Sequence, residues 1–172
     1  ICKWFLANDP VYSRRLEKIW LWNDWPDKWG PDAGIDLVAE DKDGKLWAIQ
    51  AKAYDPAYSV TREDINTFLA EAGRADFSFR LLIATTNILG TTAKRTLDAQ
   101  EKASSVLLLG DLEDAQVNWP ESPSDLNAKP LPPKKPTGKW AYQGKAMKAV
   151  AEGLQASDRG QLIMACGTGK TL

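Results

Sequence analysis

Ile35-Asp36-Leu37-Val38-Ala39-Glu40, Asp41-Lys42-Asp43-Gly44 and Leu46-Trp47-Ala48-Ile49-Gln50-Ala51-Lys52 read in succession as strand, turn and strand. Gly44 suits the left-handed position of a three-residue hairpin loop. Pairing Asp41 with Lys45 sets a register in which Asp36 lies opposite Gln50. Side chains alternate along a strand, so Asp36, Gln50 and Lys52 then share one face, while Trp47, Ile49 and Ala51 form an apolar opposite face. Polar groups on a strand that is apolar on both sides are costly unless they are paired or used. A carboxylate, an amide oxygen and an ammonium together suit a divalent-cation site for phosphodiester cleavage. The competing reading is an edge strand whose solvent face carries Gln and Lys for protection.

The flanking sequence favours the first reading. Residues 12–23 read as a helix before the hairpin, and residues 61–72 as a helix after it, with Ile65, Phe68, Leu69 and Ala72 on one stripe. Thr61 followed three residues later by Asp64 makes an N-terminal cap. A strand over 80–85, a helix over 92–102 and a strand over 105–109 follow. The order is helix, hairpin, helix, strand, helix, strand, which predicts an α/β fold with a mixed sheet flanked by helices.

The hairpin constellation resembles the PD-(D/E)xK nuclease superfamily, and within it the Mrr-like branch, where Gln takes the acidic position of the last motif. The resemblance covers about the first two-thirds of the chain and implies a restriction-endonuclease-like fold. It assigns Asp36 and Gln50 as Mg²⁺ ligands and Lys52 as the group that orients or polarises the attacking water. Gln50 departs from the commoner carboxylate, and a neutral amide holds Mg²⁺ more weakly. Gln50→Glu is therefore expected to be tolerated better than Gln50→Ala. Asp32, after Pro31, supplies a superficial Pro-Asp pair but ranks below Asp36. Glu17, placed on the first helix, is a candidate accessory acid, against the plainer reading of a solvent-facing Glu paired with Arg14 or Lys18.

Composition narrows the chemistry. The 172 residues contain no His, so histidine metal sites and His-based triads are excluded, and Cys2 and Cys166 suggest neither a zinc site nor a disulfide framework. No apolar run approaches the ~20 residues of a membrane span, and a cytoplasmic location is expected. The net charge of −1 does not announce nucleic acid, so a DNA-binding face would have to be local. Arg14-Arg15 with Lys18, Lys94-Arg95 and Lys134-Lys135 are its candidates, although each also reads as an ordinary solvated face. Trp20, Trp22, Trp25 and Trp29 crowd into ten residues. They are expected to pack in the core rather than stack on bases.

Six of the ten prolines fall between Trp119 and Lys139, which marks a semi-rigid linker and divides the chain into 1–118, 119–139 and 140–172. In the last part, residues 143–155 read as an amphipathic helix and 161–164 as a strand. The strand enters Ala165-Cys166-Gly167-Thr168-Gly169-Lys170-Thr171, a Walker A context in which Gly167, Gly169, Lys170 and Thr171 would cradle ATP phosphates and Mg²⁺. Gln143, after Tyr142, resembles the adenine-reading Gln of superfamily 2 helicases. A nuclease, a linker and the first elements of a RecA-like ATPase resemble type ISP restriction enzymes, together with the phrases Trp20-Leu21-Trp22-Asn23-Asp24-Trp25-Pro26 and Gly34-Ile35-Asp36-Leu37-Val38. That resemblance implies ATP-driven translocation on double-stranded DNA, cleavage when a second copy is met, and S-adenosylmethionine use by parts beyond this chain. Two alternatives stand beside it: a catalytically inactive nuclease-fold DNA-binding module, and a nuclease–helicase of another kind such as a type I motor subunit.

Overall fold

The computed structural model describes residues 1–31, 34–127 and 141–156. It divides into two compact units, Ile1–Pro133 and Lys134–Leu172. In chain order the first unit has α1 (Cys2–Asn8), α2 (Tyr12–Arg15), β1 (Leu16–Leu21), β2 (Leu37–Asp41), β3 (Leu46–Lys52), β4 (Ser59–Val60), α3 (Arg62–Glu71), β5 (Phe77–Ala84), β6 (Ile88–Leu89), α4 (Thr91–Asp98), β7 (Ser104–Leu107) and α5 (Leu109–Glu113). Five strands form one mixed sheet in the order β1-β2-β3-β5-β7, and β4 and β6 pair separately. β1, β2 and β3 are an antiparallel meander, whereas β3, β5 and β7 run parallel, joined through α3 and α4.

Alternation along β3 and β5 divides two apolar layers. Val38, Ala48, Leu82 and Ala84 meet Ile65, Phe68 and Leu69 of α3 and Ala93 and Leu97 of α4 on one face. Leu37, Ala39, Trp47, Ile49, Leu81 and Ile83 meet Phe5 and Leu6 of α1 on the other. Strands buried on both sides are what parallel pairing between helical layers requires. Thr61 caps α3 in a reciprocal capping box with Asp64, as its spacing predicts. Trp22 and Trp25 are buried, so the tryptophan cluster is core. Trp119 stacks on Phe5 with ring centroids 5.3 Å apart, so the packed unit reaches past residue 118 into the proline-rich stretch.

The helix expected over 12–23 is a correction. Only Tyr12–Arg15 is helical, and Leu16–Leu21 is an edge strand paired with β2. Leu16, Ile19 and Trp20 stand at i, i+3 and i+4, so a helical stripe is open locally beside a strand, and the free edge of β2 decides between them. Elsewhere the boundaries shift: β5 begins at Phe77 and α4 ends at Asp98. The tight turn is as expected, with Gly44 at φ 75° and the Asp41 N–H donating to the Lys45 carbonyl at 2.9 Å.

Asp41 closes that turn as a buried carboxylate. It accepts from the N–H groups of Asp43 (3.0 Å) and Lys45 (2.9 Å) and from the Trp47 indole (3.1 Å). Burial alone raises its pKa, but the hydrogen bonds from Lys45, Trp47 and Asp43 outweigh it and hold the carboxyl below its ordinary value. A depressed folded pKa contributes stability above the unfolded pKa that is lost as pH falls through the folded one. The wild-type urea midpoint is therefore expected to drop below about pH 4. Asp41→Ala should lower stability by about 2–4 kcal/mol at neutral pH and flatten that acid limb.

The second unit is described over α6 (Ala141–Ala156) alone, which contains the helix expected at 143–155. The strand and Walker A loop at 161–171 lie outside the described residues, as do Lys134 and Lys135. Among the described residues no helix is long and apolar enough to cross a membrane.

Candidate active site

The sheet brings Asp36, Gln50 and Lys52 to one end, where the chain enters β2 and leaves β3. Gln50 is 3% exposed, on a strand flanked by β2 and β5. Its amide nitrogen donates to the Gly34 carbonyl at 2.9 Å, while its Oε1 is buried without a hydrogen-bond partner. Gly34 has φ 62°, and a Cβ there would come within 3.1 Å of Thr67 Cγ2 and 3.3 Å of the Phe68 nitrogen on α3. Glycine is thus required for the entry segment to pass over α3 and present its carbonyl to Gln50.

Asp36 is exposed and follows two residues later. Its carbonyl accepts from the Trp22 N–H at 2.9 Å, and its N–H donates to the Ile49 carbonyl at 2.9 Å. Leu37 pairs with Ile49 in the register that pairing Asp41 with Lys45 sets, and the ladder ends there, one residue short of Asp36 and Gln50. Asp36 Oδ2 accepts the Ala51 N–H at 2.7 Å, in the place a strand carbonyl would take if the ladder continued. Asp36 therefore reaches the backbone between Gln50 and Lys52. Lys52 is half-buried, ends β3 opposite Ala84, and shares a strand face with Gln50 by alternation.

Glu17 lies on β1 rather than on a helix, beside the irregularity between Leu16 and Lys18. Those residues pair with Asp41 and Glu40, whereas Leu21 pairs with Leu37 next to Asp36. Four strand residues separate the two ends, about 13 Å, so Glu17 is not an accessory acid for Asp36. Asp32 lies outside the described residues, as do Gly167, Gly169, Lys170 and Thr171. Gln143 falls in the first turn of α6. Of the basic candidates, Lys18 pairs with Glu40 at 3.2 Å and Arg15 lies 4.4 Å over the Trp47 ring.

Sequence reasoning missed Tyr54, Thr85 and the second use of Asp64, which gather beyond Lys52 at the same end of the sheet. No spacing rule marks them, because Thr85 meets Tyr54 only through the parallel pairing of β3 and β5.

Among the described residues no three Asp, Glu or Cys side chains converge on a metal-sized site. A hard cation at this end of the sheet would draw on the Asp36 carboxylate and the unpartnered Gln50 oxygen. That is a small set of oxygen donors of the kind Mg²⁺ completes with water and substrate phosphate. The donor chemistry fits.

A mixed sheet between helical layers, with an acidic residue at a strand entry and a Gln-x-Lys on the next strand, is the architecture of a restriction-endonuclease domain. A restriction endonuclease family model, of Mrr type, matches residues 7–128, and the chain belongs to that family. Among solved structures, an ATP-dependent type ISP restriction-modification enzyme, LlaBIII, bound to DNA, is similar over 98% of this chain at 35% identity with a TM-score of 0.70. That match covers 11% of the LlaBIII chain, so the present chain spans about a tenth of its length. The MspJI restriction endonuclease in complex with a 27-mer oligonucleotide is similar at 18% identity, over 59% of this chain and 23% of that one, with a TM-score of 0.43. No curated protein matches.

Proposed function

We propose that this chain carries the Mg²⁺-dependent nuclease of a type ISP restriction-modification enzyme, hydrolysing phosphodiester bonds of double-stranded DNA. After a proline-rich linker it continues into the start of an ATP-driven translocase. The observation that carries the nuclease reading is the Gln50 oxygen, buried and unpartnered on the strand that ends in Lys52. Leaving such an acceptor bare costs free energy, and a cation offsets that cost. The similarity to LlaBIII along nearly the whole chain supports the continuation into a translocase, as does the Walker A sequence.

Asp36 and the Gln50 oxygen would hold the metal. When bound, Mg²⁺ supplies positive charge to the scissile phosphate and makes a nearby water more acidic. The chain's own residues do the rest. The Ala51 N–H fixes one oxygen of Asp36, and Gly34 fixes the Gln50 amide so that its oxygen, not its nitrogen, is presented. The Lys52 ammonium stabilises the attacking water as it loses its proton and the phosphate as negative charge accumulates. Mg²⁺-dependent cleavage of double-stranded DNA by the intact protein, abolished by a chelator, tests the reading. Persistence of cleavage in the chelator overturns it.

The Gly34 contact revises what Gln50→Glu should do. Glutamate adds a hard ligand oxygen but turns a carboxylate toward the Gly34 carbonyl in place of a donor. In a chelator, Gln50→Glu is expected to be about 1–3 kcal/mol less stable than wild type. Mg²⁺ should narrow the gap, because a cation bound only by the folded state stabilises it. Thermal melts with and without Mg²⁺ check this, and a gap that Mg²⁺ leaves unchanged places no metal at Gln50.

A further inference from the structure

The segment after Lys52 is exposed at Ala53 and from Asp55 to Tyr58, yet it is tied down along its length. The β3–β5 ladder ends at Lys52 opposite Ala84, and a connection leaving there would ordinarily be a mobile surface loop. Instead the Thr85 N–H donates to the Lys52 carbonyl at 3.1 Å. Thr85 Oγ1 accepts the Tyr54 N–H and donates to the Tyr54 carbonyl, both at 2.7 Å. One hydroxyl thus satisfies both backbone groups of the residue two beyond Lys52. Thr86, fully buried, does the same for the next turn: its Oγ1 donates toward the carbonyls of Tyr58 (2.6 Å) and Pro56 (3.1 Å) and accepts the Ile88 N–H at 3.1 Å.

The side chains are held as well. Asp64 accepts from the Tyr58 hydroxyl at 3.0 Å, besides capping α3 through Thr61. The two tyrosine rings lie 4.4 Å apart. Burial and the neighbouring Asp64 carboxylate push the Tyr54 phenol up to about 12.

We propose that Thr85 is a positioning residue for Lys52, setting where its ammonium stands relative to Asp36 and Gln50. The inference rests on the role given to Lys52 above. A lysine at the last position of a strand is anchored by the ladder on one side only, and its long side chain amplifies any shift of its Cα. Displacement of a reacting group by ~1 Å can cost about 100-fold in rate. The Thr85 clamp supplies the missing anchor on the far side.

The test is single-turnover DNA cleavage by Thr85→Val, Thr85→Ala, Thr85→Ser and Lys52→Ala forms of the intact protein. Thr85→Val is expected to cleave about 10- to 100-fold more slowly with DNA affinity unchanged, and Thr85→Ser to recover most of the rate. A Thr85→Val protein cleaving at the wild-type rate beside a dead Lys52→Ala overturns the inference and leaves the nuclease reading standing. Normal cleavage by Lys52→Ala removes that reading itself. If Thr85→Val fails to fold, Thr85→Ala decides. It also lacks the hydroxyl, is expected to cleave about 10- to 100-fold more slowly, and at the wild-type rate overturns the clamp.

Discussion

Asp36→Ala and Lys52→Ala are each expected to abolish Mg²⁺-dependent DNA cleavage by the intact protein, by roughly 10³-fold or more, with DNA binding retained. Loss of the carboxylate removes the charged donor at the entry to β2. Loss of the ammonium removes the group that favours a deprotonated water. Neither change should unfold the chain, because Lys52 is only half-buried and the exposed Asp36 side chain accepts one hydrogen bond, from the Ala51 N–H. Such a bond contributes about 0.5–1.5 kcal/mol. Asp36→Asn separates the two roles: it keeps an acceptor for Ala51 and should melt like wild type while remaining inactive. Wild-type cleavage rates in purified Asp36→Ala or Lys52→Ala would sink the assignment of the site.

Trp22→Ala is expected to destabilise the first unit by about 3–5 kcal/mol, a large fraction of the stability of such a domain. Trp22 is 4% exposed and packs against Trp25 and Trp29 at centroid distances of 5.6 and 4.8 Å. Its indole N–H donates to the Gly30 carbonyl at 2.9 Å, and its backbone N–H holds the Asp36 carbonyl at 2.9 Å. The substitution opens a cavity beneath the sheet, leaves the Gly30 carbonyl without this donor and loosens the support of Asp36. Denaturant unfolding of the variant checks the size of the effect. A Trp22→Ala protein of unchanged stability but weakened DNA binding would show that the cluster serves DNA after all.

The two predictions mark where local reading succeeds. The hairpin was legible because Gly44, the period-two alternation of β3 and the polar positions Gln50 and Lys52 are local properties of about eighteen residues. The α3 cap was legible for the same reason, since Thr61 and Asp64 interact across three residues. The Mrr-like resemblance rested on those same residues, and the family match bears it out.

The remainder depends on what lies alongside. Residues 16–21 are β1 because β2 offers a free edge, a partner sixteen or more positions downstream that no local period reveals. The β2–β3 ladder ends at Leu37 and Ile49, and the Asp36 carboxylate takes the Ala51 N–H in place of a backbone carbonyl. Glu17 was drawn to the site by a helix that does not form, and strand geometry carries it to the other end of the sheet. Thr85 reaches Tyr54 across 31 residues through parallel pairing, and Asp64 turns from a helix cap into an anchor for Tyr58 once α3 is docked. By itself the sequence determined that Gln50 and Lys52 lie on a strand paired through the Gly44 turn, in the register observed, because turn chemistry and alternation are written locally. Only the tertiary structure decided the supports of that strand end, the pairing of residues 16–21 and the place of Glu17, because long-range backbone pairing selects among conformations that are locally open.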